Sequence, residues 1–331
     1  RRSREARGDE ECLLAAGSIL VDTYKIVRRL ARGGMGEVYL AHDLSLCRAV
    51  ALKVLLPHRA TDPLVRQRFL EESRAMASVR HENVVQVFAT GRHGATTFFV
   101  MEYVPGITVA AVIDQARNQG RATSLSTINA VLAQVSHGLS AIHETGLYHG
   151  DVKPSNMLVS TDFRVAVTDF GLAGAATTRP TSSARLSDRH DPAPRDVSGT
   201  PIYLAPELLN ASGVSPTERN RCDIYALGIS AFELLTGRPP FEGKTVQSIL
   251  EGHRVGVPPR VSERRPGLPV QLDDVIARVL AKDPTSRFQD PVQFASAFGR
   301  ASSSSRHACK PLGGCRPRDD ERPQRETGAS H

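Results

Sequence analysis

Two short stretches of the sequence hold the residues whose types and spacing could do chemistry. Residues 149–156 read HGDVKPSN, and Asp169-Phe170-Gly171 begins thirteen positions after Asn156. The first stretch packs an acid, a cation and an amide into six residues, and the second adds an acid-aromatic-glycine turn at a fixed distance. Such groups can hold the metal ions of a nucleotide while an acid accepts the proton of a hydroxyl. The chemistry that fits is phosphoryl transfer.

A small sheet is predicted ahead of these motifs. Residues 24–54 form runs of β-branched and aliphatic residues separated by turn residues, which predicts three sequential antiparallel strands. Residues 63–79 change to a helical period, whose inward positions are Leu64, Phe69, Met76 and Val79. Residues 84–90 and 97–103 predict two more strands. This half of the chain is therefore a five-stranded sheet with one main helix.

The remainder is mainly helical. In the clearest helix, 125–143, the apolar residues recur in steps of three and four and make one buried stripe: Leu125, Ile128, Leu132, Val135, Leu139 and Ile142. Helix 223–236, which Asp223 opens, is apolar on nearly all sides and is expected at the centre of the lobe. Shorter helices are predicted near 244–252, 272–281 and 291–301. Strand-like segments 157–160 and 165–168 separate the two motifs.

Composition excludes several classes of protein. A chain of 331 residues that is 40% hydrophobic can bury a large core, and its net charge of +7 is spread without the basic runs of a nucleic-acid groove. Five widely spaced cysteines fit a reducing compartment. For Cys309 and Cys315, two incidental thiols are the preferred interpretation, and a metal site is the alternative. Asp9, Glu10 and Glu11 argue against a signal peptide. No stretch reaches the ~18 apolar residues of a membrane span.

A glycine-rich turn and a lysine supply further candidate groups. The turn 31–36 reads ARGGMG, and its glycines would let backbone amides approach phosphates, although an ordinary hairpin turn is the competing reading. Lys53 ends an apolar strand, so its ammonium would lie next to buried apolar residues and need an anion as a partner. Glu71 and Glu72 both lie on the following helix. Glu72 is preferred because Met76, one turn on, then shares its inward face.

Taken together, these motifs resemble those of the eukaryotic-like (Hanks-type) bacterial serine/threonine protein kinases. The resemblance covers residues 24–301 and rests on RGGMGEVYLAHD, HGDVKPSN, GTPIYLAPE and DIYALGISAFELLTGRPPF. Two positions depart from the family pattern: Ala31 stands for the first glycine of the turn, and Gly150 stands where the family usually carries arginine.

The resemblance implies an α+β, bilobal fold. Its small lobe would span 24–103, with a five-stranded antiparallel sheet and one main helix, and its larger helical lobe would span 107–301. Residues 1–23 would form an N-terminal extension. Residues 302–331, rich in Ser, Arg and Pro, read as a disordered tail or linker.

It also implies a role for each matching residue. Asp151 would be the base, Lys153 would neutralise the transferring phosphate, and Lys53 paired with Glu72 would contact the other phosphates of ATP. Asn156 and Asp169 would bind Mg²⁺, or Mn²⁺ in its place. Residues expected to line the nucleotide site are Ala31, Gly33, Gly34, Gly36, Val38, Ala51, Lys53, Met101, Glu102, Val104 and Leu158. Thr200 would bond Asp151 and Lys153, Glu207 would pair with Arg287, and Asp223 would anchor the backbone of the catalytic loop.

The expected function is transfer of the γ-phosphate of ATP to Ser/Thr hydroxyls of proteins, including autophosphorylation. A catalytically weak nucleotide-binding scaffold is the alternative, motivated by Ala31 and Gly150, and a small-molecule kinase is a third reading. Expected partners are protein substrates and a second kinase domain, with no nucleic acid and no membrane segment within this chain. A cytoplasmic catalytic domain is expected, while the full-length protein could be tethered to a membrane outside this chain.

Gly150 leads to a hypothesis about regulation. Arginine before the catalytic acid commonly meets a phosphate on the activation segment, and glycine cannot do so. Residues 172–198 nonetheless hold several Ser and Thr residues among arginines, which invites phosphorylation. Activity is therefore expected to be independent of a phosphate bound beside Asp151.

Overall fold

The small lobe is built on an antiparallel sheet. The structure is a computed structural model that describes residues 12–170, 201–209 and 214–304. The strands lie in the order β1-β2-β3-β4-β6-β5. They are β1 (Ile19–Leu20), β2 (Tyr24–Arg32), β3 (Gly36–Asp43), β4 (Arg48–Leu55), β5 (Val87–His93) and β6 (Thr96–Glu102).

Among the residues that the structure describes, the sheet has six strands, and the predicted count of five was wrong. The extra strand, β1, lies within the expected N-terminal extension and pairs with β2 through Ile19 and Leu20. Val21 and Asp22 then reverse the chain with φ angles of 43° and 56°. Two residues are too few to show the alternating pattern by which a strand is found in a sequence.

Two helices, α1 (Pro57–Ala60) and α2 (Pro63–Ser78), follow β4. Asp62 caps α2, because its carboxylate accepts a hydrogen bond from Leu64 N at 2.8 Å. Phe69 and Met76 are buried as expected, whereas Leu64 is 64% exposed and its predicted inward position was wrong. Leu64 lies five residues before Phe69, which turns its side chain about 140° away around the helix.

The large lobe is mainly helical. Its helices are α3 (Val109–Asn118), α4 (Leu125–Glu144), α5 (Pro216–Thr236), α6 (Val246–Val255), α7 (Val261–Arg264), α8 (Gln271–Val279) and α9 (Pro291–Ser303). A short antiparallel sheet combines β7 (Gly106–Thr108), β8 (Met157–Ser160) and β9 (Val165–Val167). A single apolar cluster runs from the inner side of the small sheet through α4 and α5 to α9.

Helix α5 begins seven residues before Asp223, so the prediction that Asp223 opens it was wrong. Its start is fixed by a capping box, in which Ser215 Oγ accepts from Glu218 N and Glu218 accepts from Ser215 N. The first turns of α5 are polar, whereas the apolar residues begin at Cys222. A search for apolar periodicity therefore finds the start of α5 too far along the chain.

Candidate active site

Lys53 joins three elements at the centre of the site. It lies on β4 opposite Val38 and Phe99 of the neighbouring strands. Its Nζ is 2.7 Å from Oε1 of Glu72 on α2 and 2.8 Å from Oδ1 of Asp169, which follows β9. The sequence pattern favoured Glu72 over Glu71 as the partner of Lys53. In the structure Glu71 instead forms an exposed hydrogen bond with Gln67.

Burial and charge act against each other in this group. Burial alone would lower the pKa of Lys53, but Asp169 and Glu72 outweigh it and raise that pKa. Burial raises the pKa of Glu72. Burial also works against ionisation of Asp169, yet the Lys53 ammonium beside it holds its pKa below the usual value, and Lys153 contributes in the same direction. Asp169 is therefore kept as a carboxylate.

The HGDVKPSN segment forms a compact loop. Lys153 Nζ lies 2.6 Å from Asp151 Oδ2. Asn156 ends a single 3₁₀ turn, and its amide nitrogen donates to Asp151 O at 2.9 Å and to Asp151 Oδ2 at 3.0 Å. The acid, the cation and the amide are thus brought together, and two donors fix the carboxylate of Asp151.

Asp223 anchors this loop from α5. Its carboxylate accepts hydrogen bonds from His149 N at 2.7 Å and from Gly150 N at 2.8 Å, and it lies 2.8 Å from Nε2 of His143 on α4. Gly150 has a φ of +78°, a conformation that glycine adopts without the steric cost that other residues bear. Asp151 N in turn donates to His149 Nδ1 at 3.2 Å.

The segment that ends in Asp169 is tied to the same loop. Thr168 N donates to Asn156 O at 2.9 Å, and His149 Nε2 lies 3.0 Å from Thr168 O. Phe170 packs on the ring of His149 with centroids 5.3 Å apart. Asp169 has a φ of +58°, and this turn directs its carboxylate to Lys53. Gly171, which completes the motif, lies outside the described residues.

The residues expected around the nucleotide come from both lobes. The turn between β2 and β3 carries Gly33 and Gly34, and Gly33 N donates to Gly36 O at 2.9 Å. Ala51 on β4 pairs directly with Met101 on β6, and both are buried. The remaining residues of this set lie on β2 (Ala31), β3 (Gly36 and Val38), β6 (Glu102), the segment after it (Val104) and β8 (Leu158).

The three glycines of the turn differ in what surrounds them. A Cβ on Gly36 would lie 2.3 Å from Val54 O, so close packing of β3 on β4 already requires glycine there. A Cβ on Gly34 would meet nothing within 4 Å, and one on Gly33 would meet only Gly36 O, at 3.9 Å. Neither has a positive φ angle. Packing and backbone conformation therefore do not explain Gly33 and Gly34.

Glu207 and Arg287 form the expected buried pair. Both nitrogens Nη1 and Nη2 of Arg287 lie 2.7 Å from the two carboxylate oxygens of Glu207, and Arg287 is fully buried. Tyr203 OH donates to Glu233 Oε2 on α5 at 2.6 Å and holds the segment before Glu207 on the same helix. Thr200 lies outside the described residues, as do residues 172–198, Cys309 and Cys315.

Sequence reasoning missed several residues around the site. His143 reaches Asp223, and Arg164 forms a two-bond ion pair with Glu102, which belongs to the predicted nucleotide site. Thr168 places a buried hydroxyl beside Asp169. The partners of His143 and Arg164 lie 80 and 62 residues away in the sequence, so no compact motif contains either pair. The Thr168 hydroxyl has no partner within the described residues. Only the position of Thr168 directly before Asp169 could have signalled it.

This bilobal arrangement, with Lys53, Asp169 and the Asp151 loop meeting between a small sheet and a helical lobe, defines a protein-kinase-like fold and site. The family of protein kinase domains matches residues 24–296. The chain therefore belongs to the protein kinase family, in its bacterial Hanks-type branch, which confirms the predicted family and fold class.

Individual relatives are bacterial kinases. The chain is 37% identical over 297 residues to the serine/threonine-protein kinase PknJ of Mycobacterium tuberculosis, covering 87% of this chain and 46% of PknJ. It is 36% identical over 283 residues to Pkn1 of Myxococcus xanthus, covering 83% of this chain and 38% of Pkn1. The chain thus spans less than half the length of these relatives.

A solved structure shows the same fold. The crystal structure of the Mycobacterium tuberculosis PknI kinase domain superimposes with a TM-score of 0.64 at 30% identity. The similarity covers 87% of this chain and 99% of the PknI chain.

Proposed function

We propose that this chain transfers the γ-phosphate of ATP to Ser and Thr hydroxyls of proteins, its own included. The observation that carries the proposal is the position of Lys53, whose ammonium contacts Glu72 on α2 and Asp169 in the large lobe at the same time. Protein kinases need this lysine–glutamate pair and the metal-binding aspartate in place together. The relatives named above are serine/threonine kinases, which supports the same class of acceptor.

The residues present fit ATP and Mg²⁺, with which protein kinases generally work. Asn156 and Asp169 offer the amide and carboxylate oxygens that Mg²⁺ or Mn²⁺ prefers. The buried hydroxyl of Thr168, next to Asp169, has no hydrogen-bond partner within the described residues, and a buried polar group without one is unusual. Bound metal would supply charge neutralisation between the phosphates.

The chain's own residues would supply the positions of the reacting groups. Asp151 would accept the proton of the substrate hydroxyl at its carboxylate, which Asn156 and Lys153 hold in place. Lys153 would neutralise charge on the transferring phosphate, and Lys53 would contact the other phosphates. Gly33 and Gly34 would let the backbone of the turn between β2 and β3 approach those phosphates closely. This role accounts for two glycines that packing does not require.

Label transfer tests this proposal. The protein is incubated with γ-labelled ATP, Mg²⁺ and a general protein substrate, and the wild type is compared with Asp169→Ala. Asp274→Ala, on the exposed first turn of α8, is the matched control. We expect label on Ser and Thr of the substrate with the wild type and the control, and almost none with Asp169→Ala. Equal transfer by all three proteins, or transfer by none, would contradict the proposal.

A catalytically weak nucleotide-binding scaffold is the second candidate, favoured by Ala31 and Gly150. Against it, Lys53, Glu72, Asp151, Asn156 and Asp169 are all present, and the structure brings them together in one site. The same assay separates the two functions if binding of ATP is followed in parallel. Binding of ATP with Mg²⁺ but no label transfer would favour the scaffold.

The extent and surroundings of the domain are also proposals. We place the kinase domain at residues 24–301, between an extension at 1–23 and a tail at 302–331. Within the described ranges, no helix is long and apolar enough to cross a membrane. Protein substrates, a cytoplasmic site of action and pairing of two kinase domains stay predictions, and light scattering of the purified protein tests the last of these.

A further inference from the structure

A fully buried carboxylate lies outside the groups assigned to phosphoryl transfer. Glu37, on β3 directly after Gly36, has no exposed surface. Because strand residues alternate between the two faces, Glu37 and Tyr39 face away from Val38, which belongs to the predicted nucleotide site. Tyr39 is part of a second apolar cluster that covers the outer face of the small sheet. Glu37 is therefore a buried charge on the outer face.

The segment that precedes the matched kinase domain covers this carboxylate. Leu13 N donates to Glu37 Oε2 at 3.2 Å, and Leu14 N donates to Tyr39 OH at 3.1 Å. The side chains of Leu13 and Leu14 pack against the outer apolar cluster. Further along, Gly17 N donates to Ile26 O and Ile26 N donates to Ser18 O, both at 2.8 Å, before β1 begins. Residues 12–20 thus lie along β2 and across β3, and we call them the strap.

Glu37 gathers donors from three parts of the chain. Tyr39 OH donates to it, Arg29 Nη1 lies 3.1 Å away and Arg32 Nε lies 3.6 Å away. Burial works against its ionisation, but the hydrogen bonds from Tyr39 and the Leu13 amide, together with Arg29, outweigh burial and lower its pKa. A buried carboxylate is tolerated only when it is paired and hydrogen-bonded in this way.

These contacts lie at the base of the glycine-rich turn. Arg32 and Glu37 are direct partners in the register of β2 and β3, and the turn of residues 33–36 is what lies between them. Their ion pair, with Arg29 on the same carboxylate, therefore closes the hairpin just below the turn. A turn held at its base has fewer conformations to lose when a ligand orders it.

We propose that the strap is a working part of the catalytic unit, in which Glu37 is a positioning residue that holds the glycine-rich turn ready for the phosphates of ATP. The catalytic unit then includes Leu13, eleven residues before the region that the kinase family matches. This proposal rests on the proposed function, since it names a determinant of nucleotide binding at the same site.

A purely structural strap would act differently. It would add stability by covering the outer apolar cluster, and its loss would lower the melting temperature without a selective effect on ATP. A positioning strap affects the KM for ATP more than the KM for the protein substrate. The ratio of the two KM values is therefore the measurement that separates these roles.

The experiment uses three substitutions in the full chain and two shortened chains. Glu37→Gln removes the charge with little change in shape, and Tyr39→Phe removes the hydroxyl that joins the Leu14 amide to Glu37. Tyr24→Phe is the matched control, because Tyr24 lies on the same sheet but pairs with Asp43 at the opposite end of the hairpin. A chain that starts at Ala15 lacks both strap amides, and one that starts at Cys12 keeps them. Melting temperatures show that each protein is folded.

For Glu37→Gln and for the chain that starts at Ala15, we expect the KM for ATP and the Kd of a non-hydrolysable ATP analogue to rise roughly tenfold, as for loss of a hydrogen bond to a charged group. Tyr39→Phe should give a smaller rise. The KM for protein substrate should stay within about twofold in all of them. Tyr24→Phe and the chain that starts at Cys12 should match the full chain.

An unchanged KM for ATP in Tyr39→Phe and in the chain that starts at Ala15 would overturn the proposal, even if both melt at lower temperature. An equal rise in the KM for ATP and the KM for protein would overturn it as well. If the wild type itself binds no ATP analogue, the proposed function fails and the strap proposal fails with it. If the wild type binds the ATP analogue and the variants bind it with the same Kd, the strap proposal is contradicted and the proposed function is not.

Discussion

Lys53, Glu72 and Asp169 show how single residues hold the candidate site together before any ligand binds. One buried ammonium lies between two carboxylates, which come from α2 and from the end of β9. Two carboxylates this close would repel each other, so the lysine is what allows Asp169 to stay ionised and available. The site is therefore preorganised by charge, which matters for phosphoryl transfer because positioning and neutralisation supply most of the rate.

Asp151 offers a direct test at this scale. In Asp151→Asn, the new amide can still accept from Asn156 and Lys153 through its oxygen, so the loop should keep its shape. The proposed proton acceptor is lost, and we expect kcat to fall roughly 10²- to 10⁴-fold with little change in the KM for ATP. Steady-state kinetics of peptide phosphorylation measure both values. Asp274→Asn on α8 is the control, and wild-type kcat in Asp151→Asn would show that another group takes the proton.

Gly150 gives a prediction about regulation. Its N–H is bound by Asp223 and its φ is +78°, so the loop is held from α5 without a side chain at this position. A protein treated with phosphatase, and shown by mass to be free of phosphate, should keep most of its initial rate. Loss of about a hundredfold or more would mean that a bound phosphate orders the site despite the glycine.

Between elements, an ion pair connects strand β6 of the small lobe to the segment before β9 of the large lobe. Arg164, just before β9, meets Glu102 at the end of β6 through two hydrogen bonds, one of them 2.9 Å long. Its Nε also donates to Glu82 O at 2.7 Å, in the connection after α2. Since β9 leads into Asp169, this side chain sets the position of Glu102 relative to Asp169, a proposed metal ligand.

Arg164→Ala should therefore weaken nucleotide binding. The pair is about a quarter to a third exposed, so we expect a loss of only about 1 kcal/mol in stability and a rise of roughly three- to tenfold in the KM for ATP. Urea unfolding and kinetics measure the two effects. Arg254→Ala removes an exposed pair with Glu251 within α6 and should change neither. An unchanged KM in Arg164→Ala would show that Glu102 is held without its partner.

How far the sequence predicts these elements depends on whether a pattern is local. Helix α4 and the pairing of Lys53 with Glu72 could be predicted, because apolar periodicity and helical facing are set within a few residues. The start of α5 could not, since its first turns are polar and a cap rather than a core contact fixes them. The Arg164–Glu102 pair joins residues 62 positions apart, and no spacing within one element indicates it.

On the scale of the whole molecule, helix α5 contacts both the 149–156 loop and the segment around Tyr203 and holds them in position. Asp223 holds the catalytic loop, Glu233 holds Tyr203, and Tyr225 OH lies 2.9 Å from Nδ1 of His253 on α6. These contacts are spread over eleven residues of one buried helix, 223–233. A change that loosens α5 is therefore expected to affect the catalytic loop and the segment around Tyr203 together.

His253 makes the stability of helix α5 depend on pH. The side chain is fully buried between Tyr225 and Phe241, and Lys282 Nζ bonds the carbonyl oxygen of His253 at 2.7 Å. Burial, with a further contribution from the Lys282 ammonium, lowers the pKa of His253 from 6.5 to about 4. Between these two values the unfolded chain binds a proton that the folded protein does not, so stability rises with pH across this window and is lost as the pH falls.

We expect the free energy of unfolding to fall by roughly 1–2 kcal/mol from pH 7 to pH 5 because of His253 alone. Urea unfolding of the wild type and of His253→Gln at pH 7 and pH 5 measures this fall. The free energy of unfolding of the variant should fall by roughly 1–2 kcal/mol less than that of the wild type. His137→Gln, at an exposed position of α4, should behave like the wild type. His149, whose pKa is also lowered by burial, remains in all three proteins and accounts for part of the loss that they share. An equal loss in His253→Gln and the wild type would mean that this ring accepts its proton without disturbing α5.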